Sequence, residues 1–268
     1  MGTPHQIAIS IGGTSIRLNL TDPAFCEVLQ QRYGGFIAQS GGFDYSMDVE
    51  LTMETNFLTP QAGIRVESSD GVWRICRNDF EAEWAPRNRR GRVRQTAHAY
   101  VLDAVLRIVH GLLLADRGGF LLHSSSAVRH ERAFLFSGIS GVGKTTISRL
   151  VPVDALLLAD EVSYVRHDGI AYRAYGTPFA GELAKAKMGK DLSAPLRAAY
   201  LLAHGIDNRI VPMSAPEAVA AMMRNVIFFA RDPVLTKKIF NTVCDFVSKV
   251  EVSRLSFVPD EHVWDLIQ

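Results

Sequence analysis

The chain has 268 residues, 47% hydrophobic and 21% charged, and its 29 Lys and Arg against 28 Asp and Glu leave a net charge of +1. That length can bury one large core or two smaller ones, in a composition ordinary for a globular protein and unlike a disordered or fibrous one. With no long basic run, the charge argues against general attraction to nucleic acid or to an anionic membrane.

The start of the chain lacks a basic stretch followed by an apolar core and a small-residue cleavage site, so no signal peptide is expected. Three widely spaced cysteines, Cys26, Cys76 and Cys244, show no metal-ligand pattern and predict free thiols in a reducing cytoplasm. In chain order, Ile7, Ile9 and Ile11 alternate with polar residues, then Ile16, Leu18 and Leu20 do so beyond Gly12-Gly13, which predicts a hairpin. A second alternating set falls at 48–55, and a third joins Ile64 and Val66 to 72–76 across the turn signal Ser69-Asp70-Gly71. Together they predict a small antiparallel, β-rich domain over 1–95. Within it, Ser10-Ile11-Gly12-Gly13-Thr14 resembles the first phosphate loop of actin-like sugar kinases, but Ser10 stands where that loop needs a carboxylate. Arg87, Arg89, Arg90, Arg92 and Arg94 read as a solvated loop between two parts of the fold.

Residues 97–116 carry Val101, Leu102, Val105, Leu106, Ile108, Val109, Leu112 and Leu113 at helical spacing, and Gly118-Gly119 stops them. This predicts a core helix. Its Asp103, Arg107 and His110 make it too charged, and its length too short, to cross a bilayer, while His98 and His110 read as structural. From residue 120 the pattern predicts strand and helix in alternation, with strands at 120–128, 133–137 and 154–162.

The strand at 133–137 feeds directly into Gly138-Ile139-Ser140-Gly141-Val142-Gly143-Lys144-Thr145-Thr146, a complete Gly-x-x-x-x-Gly-Lys-Thr phosphate loop. Backbone N–H groups must wrap phosphate oxygens, which calls for glycine where a Cβ would obstruct the turn or the ligand. The candidate nucleotide-binding residues are therefore Gly138, Ser140, Gly141, Val142, Gly143, Lys144, Thr145 and Thr146. Lys144 supplies positive charge, and Thr145 offers its hydroxyl to a Mg²⁺ ion bridging the phosphates. Residues 155–159 are apolar until Asp160 and Glu161, the form of a buried strand whose end must hold a cation. Asp160 follows Lys144 by sixteen positions, so one short helix must join the two strands. Two adjacent carboxylates also permit one to bind metal while the other accepts a proton from an attacking hydroxyl.

Leu122-His123-Ser124-Ser125-Ser126, then Gly138 to Thr145, then Leu158-Ala159-Asp160-Glu161 resemble, in order and spacing, the catalytic core of the HPr kinase/phosphorylase family over about 120–231. The resemblance implies an α/β P-loop kinase core of HPr kinase/phosphoenolpyruvate carboxykinase type over 96–268, preceded by the small β-rich N-terminal domain. It implies that His123 lies near the transferred phosphoryl, that Lys144 holds the β- and γ-phosphates, that Thr145 takes the place of the usual serine on Mg²⁺, and that Asp160 is the general base. Glu161 stands where the family usually has a second aspartate. Tyr175-Gly176-Thr177-Pro178 with downstream Glu182 resembles a segment of diverged members, and makes Glu182 a further candidate for the metal.

The chain departs from the family where the protein HPr would bind: the arginine-glycine signature after the acidic strand and the basic loop before the last helices are missing. Residues 216–230 and 232–250 read as helices, 250–257 as a strand and 259–267 as a short closing helix. Arg224 or Arg231 could supply the positive group that the transferred phosphoryl requires, with Arg224 the catalytic candidate.

The resemblance extends to peptide-modifying kinases of natural-product clusters, including those of lasso peptides. The expectation is an ATP- and Mg²⁺-dependent cytoplasmic kinase, acting on a serine or other hydroxyl of a peptide or small protein, with neither nucleic acid nor membrane as partner. The family also implies a homo-oligomer. Two other readings stay open: a small-molecule kinase on the same core, and a nucleotide-binding regulator without turnover.

Overall fold

The structure, a computed structural model, describes residues 5–38, 42–54, 63–179, 181 and 191–268. The chain divides into two compact units, Met1–Leu113 with Phe228–Thr236, and Leu114–Ile227 with Lys237–Gln268.

The first unit is built on β1 (His5–Ile11), β2 (Thr14–Leu20), α1 (Pro23–Tyr33), β3 (Tyr45–Leu51), β4 (Arg65–Ser69), β5 (Val72–Arg77), β6 (Phe80–Ala85), β7 (Arg90–Gln95) and most of α2 (Ala99–Asp116). Its seven strands form one sheet in the order β1-β2-β3-β7-β6-β5-β4. Gly12 and Gly13 sit at φ 58° and 72°, and Asp70 and Gly71 at 54° and 78°. Two successive left-handed residues match the twist of the flanking strands, which is why both pairs make tight hairpins.

The unit is not antiparallel throughout: β2 pairs parallel with β3, and β3 with β7. A parallel neighbour needs a crossover, and α1 supplies the one from β2 to β3. Asp22 caps that helix by accepting the Phe25 N–H at 2.8 Å, and Pro23 occupies its first turn. Of the arginine cluster, Arg87 lies in the short helical turn before β7 and Arg89 at the end of that turn, while Arg90, Arg92 and Arg94 belong to the strand rather than to a loop. In β7, Gly91, Val93 and Gln95 are buried, while Arg90 and Arg92 are exposed on the other face and Arg94 half-buried there. Arg90 meets Asp48 at 2.6 Å, Arg92 meets Glu83 at 3.1 Å, and Arg94 meets Glu54 at 2.6 Å.

The helix α2 begins beyond residue 95, where the β-rich domain was expected to end, yet it belongs to the first unit as far as Leu113. A buried polar knot ties it to α1. Asp103 accepts the Tyr33 hydroxyl at 2.5 Å and the Arg32 Nε at 3.1 Å, with a second guanidinium contact besides. Burial, then the Asp103 charge, pushes the Tyr33 hydroxyl well above its ordinary pKa.

The second unit contains β8 (Gly119–Arg129), β9 (Arg132–Ser137), α3 (Lys144–Arg149), β10 (Ala155–Ala159), β11 (Val162–His167), β12 (Tyr172–Tyr175), β13 (Ser193–His204), β14 (Arg209–Pro212), α4 (Ala215–Met223), β15 (Val226–Ile227), α5 (Pro233–Lys249) and β16 (Glu251–Phe257). The first turn of α5, to Thr236, counts with the first unit. Strand and helix do not alternate as expected, because β8 with β9 and β11 with β12 are antiparallel neighbours in sequence. Parallel pairing is confined to β9, β13 and β16. The helix expected over 216–230 ends at Met223, where the chain turns into β15 and pairs with β8. The core under α3 joins Ile147 and Val142 to Phe134, Phe136, Tyr200, Phe257 and Trp264.

Candidate active site at the head of strand eight

The strand β8 is the hub of the site. Both β9 and β10 run antiparallel to it on its two edges, with Ser137 opposite Ser124 and Ala159 opposite Ser126. Their carboxyl ends therefore emerge at the same end of the sheet. Beyond them β11 takes over the β10 edge, with Val162 opposite His123. Topology alone brings the glycine loop, the acid pair and His123 together.

The loop from β9 into α3 holds Gly138, Gly141 and Gly143 at φ 148°, 81° and 109°. A Cβ on Gly143 would stand 2.8 Å from the Phe257 ring, and one on Gly138 would stand 2.9 Å from Val142 Cγ1. Both positions are thus closed to side chains by conformation and by contact. Ile139, Ser140 and Gly141 are exposed, Val142 is buried, and Thr145 and Thr146 are half-buried on the first turn of α3. Lys144 is only 8% exposed, and its Nζ donates to the carbonyls of Gly138 at 2.9 Å and Ile139 at 3.0 Å. Burial lowers its pKa from the ordinary lysine value. A backbone cradle with a buried lysine behind it has the chemistry of a phosphate site.

Asp160 is buried, and its Oδ1 accepts the Gly181 N–H at 2.8 Å. A Cβ on Gly181 would lie 3.1 Å from Asp160 Oδ2 and 3.3 Å from Glu161 Cβ, so the chain after β12 closes tightly on the acid pair. Thr177 pins that segment, its hydroxyl donating to the Val162 carbonyl at 2.7 Å. Glu161 is half-buried, and its carbonyl accepts the Ser124 N–H at 3.1 Å. Glu182 lies outside the described residues. Among the described residues no group of three or more His, Cys, Asp and Glu could by itself hold a metal ion.

His123 is half-buried, and strand alternation puts it on the same face as Ala127, which belongs to the same buried cluster as Ile147 of α3. Its N–H donates to the Asn225 carbonyl at 2.8 Å. Arg224, exposed at the end of α4, is the residue before that contact, so the chain delivers it next to the histidine strand. Arg231 falls in the segment counted with the first unit.

Sequence reasoning missed Ser137, Thr177, Gly181 and Asn225 as members of the site. The only local signals were a hydroxyl at the last strand position before Gly138 and the turn-rich run at 175–182.

Fold and site define a mixed α/β protein whose second sheet carries a strand, glycine loop and helix beside an acid pair. Residues 93–268 match the family of the SynChlorMet cassette protein ScmC, and the chain belongs to that family. Among solved structures, the Hpr(Ser) kinase/phosphatase from Coxiella burnetii matches at 9% identity and a TM-score of 0.25, over 48% of this chain and 88% of that one. No curated protein matches the chain significantly. Among the described residues no helix is long and apolar enough to cross a membrane.

Proposed function

We propose that this chain is an ATP- and Mg²⁺-dependent kinase that transfers the γ-phosphoryl group to a serine or other hydroxyl of a peptide or small protein. The observation that carries the reading is the convergence, at one end of β8, of the Gly138–Thr146 cradle, the buried Asp160 and His123. A nucleotide sensor needs the cradle but neither a buried carboxylate beside it nor a histidine.

In this reading the loop amides and Lys144 hold the β- and γ-phosphates, and Lys144 leaves the loop carbonyls to do so. Of the candidate metal residues, Thr145 and Glu161 would hold Mg²⁺, with Glu182 a further candidate, which leaves the adjacent Asp160 for proton transfer; the bound ion would supply charge compensation for the transferred group. Asp160 takes the proton of the acceptor hydroxyl as its oxygen forms the new bond to phosphorus and the bond to the ADP oxygen breaks. The Gly181 N–H holds that carboxylate in place. His123 and Arg224 would offset the charge that develops on the phosphoryl oxygens.

The description of the family as a cassette protein directs the search for an acceptor to the peptides and proteins encoded beside this one. The test is mass spectrometry after incubation with γ-labelled ATP, Mg²⁺ and those polypeptides. Phosphate on a hydroxyl of one of them is the expected result. Tight ATP binding with phosphate on neither polypeptide nor water would replace the kinase with a regulator that binds without turnover.

A further inference from the structure

The backbone at His123 is held from several directions by groups that belong to the other parts of the site. Its N–H goes to Asn225, the next amide goes to the Glu161 carbonyl, and its carbonyl accepts the Ser137 hydroxyl at 2.9 Å. Ser137 is 1% exposed, the last residue of β9, and bonded directly to Gly138, whose carbonyl in turn receives Lys144 Nζ at 2.9 Å. The β8–β9 ladder ends at Ser124 opposite Ser137, so the His123 carbonyl lies one step past the last backbone pair. A side-chain hydroxyl closes that step. It ties the histidine strand to the residue before the first glycine of the loop, and it is buried, where a hydrogen bond resists competition from water.

We infer that Ser137 is a positioning residue: its hydroxyl fixes His123 against the glycine loop, so that the imidazole is aimed at the phosphoryl group bound there. The inference rests on the proposed kinase reading. It sets Ser137 apart from Ser124, whose carbonyl is tied to Ser163 at 3.2 Å on the acid-strand side of β8.

The test compares Ser137→Ala, Ser137→Thr and Ser137→Val in the full chain. Thr and Val have one shape and differ by the hydroxyl, so overpacking affects both alike. Each variant is titrated with Mg²⁺ and a non-hydrolysable ATP analogue while the His123 ring Cε1–H resonance is followed, assigned by its loss in His123→Gln. The expected result is analogue affinity within about two-fold of the parent for all three, with the His123 shift on binding falling to less than about half in Ala and Val and kept in Thr; a two-fold affinity change is under about 0.5 kcal/mol. A full shift in Ala and Val, or an equal loss in all three, overturns the positioning role. A parent protein that binds the analogue without any His123 response overturns it as well, leaving the nucleotide site intact. Failure of the parent to bind the analogue at all overturns the kinase reading and this inference with it.

Discussion

Gly143 carries two demands at once, a backbone φ of 109° and the approach of the Phe257 ring to 2.8 Å of where a Cβ would stand. Gly143→Ala should therefore lower stability by roughly 1–3 kcal/mol, the cost of a strained backbone position, and weaken Mg²⁺–ATP binding at least ten-fold. Adding Phe257→Leu relieves the contact but not the φ, so urea denaturation should show only partial recovery in the double variant. A full recovery would mean that the ring alone excludes a side chain. Lys144 gives a pH signature. Burial lowers its pKa in the folded state, so the unfolded chain binds the proton more tightly and folding stability gains as pH rises from the depressed value toward the ordinary one near about 10.4. Lys144→Met has no such proton to lose. As pH rises toward that ordinary value, the urea midpoint of the parent should rise relative to that of the variant. A flat difference would mean that Lys144 is solvated as an ordinary lysine.

At the scale of elements, α1 and α2 are joined through Asp103, whose side chain is 3% exposed against 16% for Arg32. Removing the carboxylate leaves a largely buried guanidinium and the Tyr33 hydroxyl without their acceptor. Asp103→Ala should cost about 3 kcal/mol or more in chemical denaturation, whereas a pair of comparable geometry at the surface would cost less than about 1 kcal/mol. A loss of the smaller size would show that water reaches the pair. The same knot explains what the sequence could and could not show. The hairpins were legible because Gly12-Gly13 and Asp70-Gly71 specify their turns within two residues. The helix α1 was not, although Asp22-Pro23 marks its start, because its buried residues Phe25, Cys26, Leu29 and Tyr33 are few among many polar ones. With α1 unseen, the parallel pairing of β2 with β3 had no crossover to suggest it. The strand β7 was hidden because Val93 is its only large apolar residue, and three arginines on the other face outweighed it. In the site, the glycine loop and Asp160 are local patterns and were legible. Ser137, Gly181 and Asn225 act through hydrogen bonds to residues 14, 21 and 102 positions away, a relation that exists only once β8, β9, β11 and β15 have assembled.

On the scale of the whole molecule, the nucleotide site proposed in the second unit has a rival in the first, a concavity of about 990 Å³ lined by Arg17, Arg74, Arg92 and Arg94 among others. Charge decides against it. Asp48, Glu50, Glu81 and Glu83 line the same surface, and the sheet register sets Asn19, Asp48, Arg92, Glu83, Arg74 and Glu67 side by side in one row across six strands. Arginines already facing carboxylates offer a phosphate little net potential, and opposite charges across neighbouring strands stabilise the sheet itself. The glycine cradle offers backbone donors and a lysine bonded only to carbonyls, which a phosphate outcompetes. Hydrogen exchange with and without Mg²⁺–ATP should therefore show new protection over residues 121–125, 137–149 and 158–163, and unchanged exchange in β2, β3, β6 and β7. Saturation at a hundred times the dissociation constant should add about 2.7 kcal/mol to the unfolding free energy of the parent, and much less to Lys144→Ala. Protection appearing instead on the arginine row would move the nucleotide to the first unit, and the convergence at the head of β8 would then need another ligand.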